Sequence, residues 1–190
     1  PVADPALNGT MAYLVNYDTG EKMDSVVVNG DTARFAGVVD QPYLARIIVD
    51  GQRAGVVIVE AGVSTPDEQG LYLGTALNDT FAATVVKLDS LEAIANEVPH
   101  DSLGMIRLNE LNTEYDTIQA RVVRHNASNP VGYYFFLQQA YRMDLNELNA
   151  ALNQLPSLQK FKRIKDLRVS LKNKAETSVG KPYKDFEVPG

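Results

Sequence analysis

Along the first seventy or so residues, apolar side chains alternate with polar ones or form short unbroken runs, and glycine-bearing turns separate the runs. Period-two alternation predicts β-strands, because successive side chains of a strand point to opposite faces. Tyr17-Asp18-Thr19-Gly20 separates Met11–Asn16 from 22–28. Asn29-Gly30 separates 25–28 from 32–35, and Asp50-Gly51 separates Tyr43–Val49 from 53–60. Asn-Gly and Asp-Gly suit type I′ turns, whose two central residues both need positive φ. Connections this short predict antiparallel neighbours, hence a β-meander of one or two packed sheets. Val56-Val57-Ile58-Val59 and Ile47-Ile48-Val49 do not alternate. Runs apolar on both faces predict central, covered strands, with the helical half as the cover of the second face. Gly70 to Thr75 reads as a last strand and a turn.

From about Leu77 the period changes to that of helices. Asn78 or Asp79 is a candidate cap for a helix to about Ser90. Residues 106–124 place Leu111, Tyr115, Ile118 and Val122 on one helical face. Asn129-Pro130 opens a third helix, since proline at the first helical position forfeits no hydrogen bond. Its stripe is Tyr133, Phe136, Leu137, Ala140 and Tyr141. Asp144-Leu145-Asn146-Glu147 is a capping-box pattern for a fourth helix, which Pro156 stops. Ser157 starts a fifth, with Leu158, Phe161, Ile164, Leu167 and Leu171 at helical spacing. After Glu176 the period fails, and 177–182 reads as a linker. The expected fold class is α+β: an antiparallel β domain over 1–75, a helical region of about five helices packing on it over 76–176, and linker-like chain over 177–190.

Composition narrows the chemistry. Of 190 residues, 45% are hydrophobic and 22% charged, ordinary for a folded chain. There is no cysteine, so these residues hold no disulfide, thiolate nucleophile or thiolate-ligated zinc. The two histidines, His100 and His125, have no paired ligand spacing. No apolar run is long enough to span a bilayer. The net charge of −6 is uneven: 1–155 carries 9 basic and 20 acidic residues, whereas 156–184 carries 9 basic and 2 acidic. The basic tract (Lys160, Lys162, Arg163, Lys165, Arg168, Lys172, Lys174) lacks interleaved aromatic platforms apart from Phe161. It therefore reads as a solvated helix face rather than a nucleic-acid surface.

Local motifs supply no active site. His100-Asp101-Ser102 has the residue types of a hydrolytic triad, but consecutive side chains cannot converge on one reacting atom. Gly70-Leu71-Tyr72-Leu73-Gly74-Thr75 lacks the lysine of a phosphate loop. Asp18, Asp24 and Asp31 lack the ligand order of a calcium loop and read as turn caps. Asn8-Gly9-Thr10, Asn78-Asp79-Thr80 and Asn126-Ala127-Ser128 match the N-glycosylation triplet. No catalytic, cofactor-binding or metal residue, and no cofactor, is assigned.

Several pieces, in order, resemble a family. Asp24-Ser25-Val26 with Phe35-Ala36-Gly37, Val59-Glu60-Ala61-Gly62, Gly74-Thr75-Ala76-Leu77-Asn78-Asp79 and Asn129-Pro130-Val131-Gly132 resemble successive motifs of a domain of unknown function. That domain precedes thioredoxin-like domains of the alkyl hydroperoxide reductase/thiol-specific antioxidant superfamily in bacterial envelope proteins. Val179-Gly180-Lys181-Pro182-Tyr183-Lys184-Asp185-Phe186 is similar to the start of the thioredoxin-like domain, although Tyr183-Lys184-Asp185 stands where Ala-Pro-Asp is usual. The resemblance implies an exported, periplasmic accessory module, anchored to the membrane only through a removed N-terminal lipid signal. The catalytic Cys pair of the parent thiol-disulfide oxidoreductase would lie beyond Gly190. Implied partners are that C-terminal domain, an envelope protein substrate and a second copy, with no nucleic acid. It also implies that Gly37, Gly62 and Gly74 permit turns or close approach, and that Asn78 caps a helix. A different reading is a stand-alone β-sandwich binding a glycan or peptide on an aromatic platform of Tyr13, Tyr43 and Tyr72. A third is a hydrolase with two converging carboxylates.

Overall fold

The computed structural model describes residues 5–176. The fold class is α+β, with strands first and helices after. The strands are β1 (Met11–Asn16), β2 (Lys22–Val27), β3 (Tyr43–Val49), β4 (Gln52–Val59), β5 (Thr65–Pro66) and β6 (Tyr72–Leu73). The helices are α1 (Ala76–Asn96), α2 (Ser102–His125), α3 (Pro130–Ala140), α4 (Leu145–Gln154) and α5 (Lys162–Glu176). The linker expected at 177–182 and the motif that follows it lie outside the described residues.

β1 to β4 form one antiparallel sheet in the order β2-β1-β3-β4, and β5 and β6 form a small hairpin. Asp50 and Gly51 both take positive φ, 49° and 74°, as a type I′ turn requires between β3 and β4. At Asn29-Gly30 only Gly30 is positive (64°), and Asn29 and Thr32 exchange backbone hydrogen bonds around Gly30-Asp31. That sign pattern is type II′.

The consecutive pairing of a meander breaks once, between β2 and β3. These two strands flank β1 and run parallel, so the chain must cross over β1 between them, and parallel neighbours need a crossover of a dozen or more residues. Residues 28–42 make that crossing. The strand expected at 32–35 is therefore absent, because this segment lies over the sheet and not in it. Ala33 and Phe35 pack on that face against Ala12, Leu14, Ala45, Ile47 and Val57.

Val56 to Val59 are covered on both faces, but β4 is an edge strand and not a central one. Val57 enters the core under the crossover and Ile58 the core under the helices. The helical core joins Leu44 and Ile58 to Phe81, Leu88, Tyr133, Phe136, Leu148, Leu158 and Ile164. α3 is its centre: eight of its eleven residues are buried, as for a helix enclosed on most sides. Asn129 caps it, accepting from the Val131 N–H, with Pro130 at the first position. Asp144 and Glu147 form the capping box of α4. Tyr141 leaves the α3 stripe, being 57% exposed just past the last turn. The fifth helix begins at Lys162, not Ser157: Pro156–Lys160 is a 3₁₀ turn, and Phe161 is extended (ψ 133°). The later start lets Phe161 stack on Tyr133, with ring centroids 3.9 Å apart.

Candidate functional site

Two polar junctions tie the sheet to the helices. The first is at the β4 edge. Asn78 sits in the first turn of α1, 1% exposed, and Thr75 holds the cap position. Asn78 therefore does not cap. Its Oδ1 accepts from the Ile58 N–H at 3.0 Å and its Nδ2 donates to the Ile58 carbonyl at 2.7 Å. A carboxamide has one acceptor and one donor side by side, so it pairs with an edge residue as a neighbouring strand would. Nδ2 also donates to Thr75 Oγ1 at 2.8 Å. Glu60, just past β4, supplies the missing cap: its Oε1 accepts from the Leu77 and Asn78 N–H groups at 2.8 and 3.1 Å. Those free N–H groups carry the positive end of the helix dipole, which favours a carboxylate there.

Two glycines close this junction. Gly62 has φ 121°, and a Cβ there would lie 2.8 Å from Thr75 Cγ2. Gly74 has φ 103°, and a Cβ would lie 2.7 Å from the Val63 carbonyl oxygen. Gly37 needs neither turn nor close approach, since a Cβ would meet open space.

The second junction is at the β1–β2 turn. Asp18 Oδ1 accepts from the Tyr133 hydroxyl and the Arg163 N–H, both at 2.9 Å, and Oδ2 accepts from the Lys162 N–H at 2.8 Å. A residue of the first hairpin thus caps α5. Burial first, then the Asp18 carboxylate it donates to, pushes the Tyr133 phenol well above its ordinary range. Beside it, the Tyr17 ring carries two guanidinium groups, with Arg46 Cζ at 4.2 Å and Arg163 Cζ at 5.0 Å from its centroid. Arg163 Nε donates to the Tyr17 carbonyl. Arg46 Nε is buried without a hydrogen-bond partner. No spacing rule would have found this pair: Arg46 is on β3 and Arg163 on α5.

The residues singled out by sequence fall apart in space or serve as caps. Asp101 caps α2, accepting from the Gly104 N–H at 2.7 Å, and Ser102 is the first helical residue. His100 is exposed beside them. His125 Nδ1 lies 2.8 Å from the Arg121 carbonyl oxygen at the end of the same helix. Asp24 lies within β2 and accepts from the adjacent Ser25 N–H, so it caps no turn, whereas Asp31 accepts from the Thr32 hydroxyl in its turn and Asp18 reaches α5. No group of three or more potential metal ligands occurs among the described residues.

Of the glycosylation triplets, Asn78 is enclosed, Asn126 donates to the Val122 carbonyl, and only Asn8 is exposed. Tyr43 and Tyr72 pack against the core under the crossover. Tyr13 faces the other way, under Lys22 Nζ at 4.0 Å. The three tyrosines therefore form no shared platform. A depression of about 770 Å³ between α1 and α2 contains Glu110 and Glu114. Each forms an ion pair with its own cation, Arg107 at 2.9 Å and Lys87 at 3.5 Å. No helix among the described residues is long and apolar enough to cross a membrane.

Comparison with family models, with curated proteins and with solved structures gives no match for this chain.

Proposed function

We propose that this chain is a non-catalytic accessory module of an exported thiol-disulfide oxidoreductase, positioning a thioredoxin-like domain, its substrate or a second copy. Such a module works by raising effective concentration, without chemistry of its own. One observation carries the reading. Glu60, Gly62, Gly74, Thr75 and Asn78, which come from two separate motifs of the resemblance, interlock at the β4 edge. These residues therefore specify the fold, as motifs of a scaffold domain should, and the chain itself has no thiol to exchange.

The test has two arms. Reading the coding sequence past Gly190 should reveal a Trp-Cys-x-x-Cys motif, and a stop codon there would remove the redox assignment. Purified 1–190 should leave a disulfide substrate such as insulin unreduced in the presence of dithiothreitol beyond the thiol's own rate. Turnover above that rate would overturn the non-catalytic assignment.

A further inference from the structure

The geometry points to an oxyanion-binding site at Arg46 and Arg163, gathered on the Tyr17 ring where the sheet meets α5. Its ligand would carry a carboxylate or phosphate group. This inference is independent of the redox reading.

Arg46 reaches from β3 to the helix-facing side of the sheet, in register with Val15 on one side and Val56 on the other. It is half-buried, its Nε is fully enclosed, and it forms no hydrogen bond or ion pair among the described residues. A guanidinium has five N–H donors and no acceptor, so the side chain enters this seam with its donor capacity unused. A buried donor without a partner is costly enough that native proteins rarely leave one without water, an ion or a functional reason.

Arg163 uses only Nε, on the Tyr17 carbonyl. No carboxylate of the described residues lies within 4 Å of either guanidinium, since the four salt bridges involve other side chains. Asp18 is the carboxylate of this seam, and its oxygens accept from the Tyr133 hydroxyl and the backbone of α5, not from either guanidinium.

The aromatic ring explains how two cations share the seam. A guanidinium over the face of an aromatic ring is stabilised by the ring's quadrupole and stays charged. At Arg46 this contact uses none of the N–H donors of the fork in a hydrogen bond among the described residues. That fork matches the spacing of two oxygens on a carboxylate or phosphate. Two guanidinium groups on one tyrosine against the single Asp18 carboxylate leave the seam with a positive charge to spare for an anion. The rest of the basic tract differs: Lys162 and Lys172 pair along α5 with Asp166 and Glu176.

The experiment is an NMR titration of the full 1–190 chain that follows the arginine Nε–Hε signals. Inorganic phosphate is added in one arm and acetate in the other, with chloride holding ionic strength constant. Arg46 should shift along a saturating curve with a Kd of about millimolar or tighter in at least one arm, and Arg163 should follow with the same constant. The arm that binds more tightly identifies the anion. In Arg46→Lys, which keeps the charge and loses the fork, affinity should fall at least tenfold while the backbone amide spectrum stays native. Shifts in both arms no larger than with chloride would overturn the site, as would an unchanged affinity in folded Arg46→Lys. If that variant does not fold, Arg163→Lys takes its place beside the wild-type titration, with the same tenfold loss expected and an unchanged affinity overturning the site.

Discussion

Replacing Asn78 by alanine tests whether one amide seals the edge of the sheet. The substitution leaves the Ile58 N–H and carbonyl, both paired to Asn78, without partners in a region where Ile58 is 1% exposed. Each unsatisfied buried backbone group costs about 1–3 kcal/mol. Alanine is the better helix former by about 0.5 kcal/mol, which offsets a little. The expected loss is about 2–5 kcal/mol, a large share of a typical stability of about 5–15 kcal/mol. Urea unfolding followed by far-UV circular dichroism measures it as a fall in midpoint at unchanged slope.

Asn78→Asp has nearly the same shape and separates hydrogen bonding from packing. The carboxylate still accepts from the Ile58 N–H, but it faces the Ile58 carbonyl where the amide donated. Protonation restores a donor. The folded state therefore holds that proton more tightly than the unfolded chain, and the stability of this variant should rise as pH falls from 7 toward 4. A loss under about 1 kcal/mol in Asn78→Ala would refute the reasoning, because it would mean that the edge satisfies itself.

Tyr133→Phe should cost about 1.5–3 kcal/mol, the bond to the charged Asp18 carboxylate. It should also flatten the alkaline limb of the stability curve. Below the ordinary phenol value of 10.0 both states keep the Tyr133 proton. Above it only the unfolded chain releases the proton, so wild-type stability falls by up to about 1.4 kcal/mol per pH unit from this group. Urea midpoints between pH 8 and 11 read the difference, and an unchanged slope in the variant would contradict it. Gly62→Ala and Gly74→Ala each combine a positive φ with a Cβ under 3 Å from Thr75 or the Val63 carbonyl. Each should destabilise by about 1–3 kcal/mol or more, whereas Gly37→Ala, in open space, should be neutral in the same denaturation assay.

Local signals were legible wherever the cause was local. The Asp50-Gly51 turn, the Asn129-Pro130 start and the Asp144 capping box stand where the sequence puts them, because each depends on residues within one turn of chain. Non-local pairing was not legible. A glycine-containing turn after β2 does not reveal that the next strand lies beyond β1, so 32–35 read as a strand. Asn78 looked like a cap because asparagine near a helix start usually is one. Its actual partner is 20 residues back on β4. The seam of Tyr17, Asp18, Arg46, Tyr133 and Arg163 draws on the turn after β1, the middle of β3 and two helices, and nothing in any one segment marks it.

The two edges of the sheet explain why one strand can be apolar and the other cannot. An open edge exposes unpaired backbone groups and invites association. At β4 the helical half answers with the Asn78 amide, and β4's end answers in turn with Glu60 at the exposed N–H groups of α1. Each half supplies what the other's backbone lacks, so Val56 to Val59 can be apolar on both faces without leaving an adhesive edge. β2 has no such partner among the described residues. Its burial pattern is almost wholly exposed, a bulge interrupts its pairing between Leu14 and Val15, and Lys22 and Asp24 lie along it. Charge and irregularity protect that edge. The same reciprocity recurs at Asp18, where a hairpin turn caps α5. Asn78, Glu60 and Asp18 are thus placed by unsatisfied backbone on the opposite half, whereas Arg46 Nε and Asn149 Oδ1 are enclosed without a hydrogen-bond partner among the described residues.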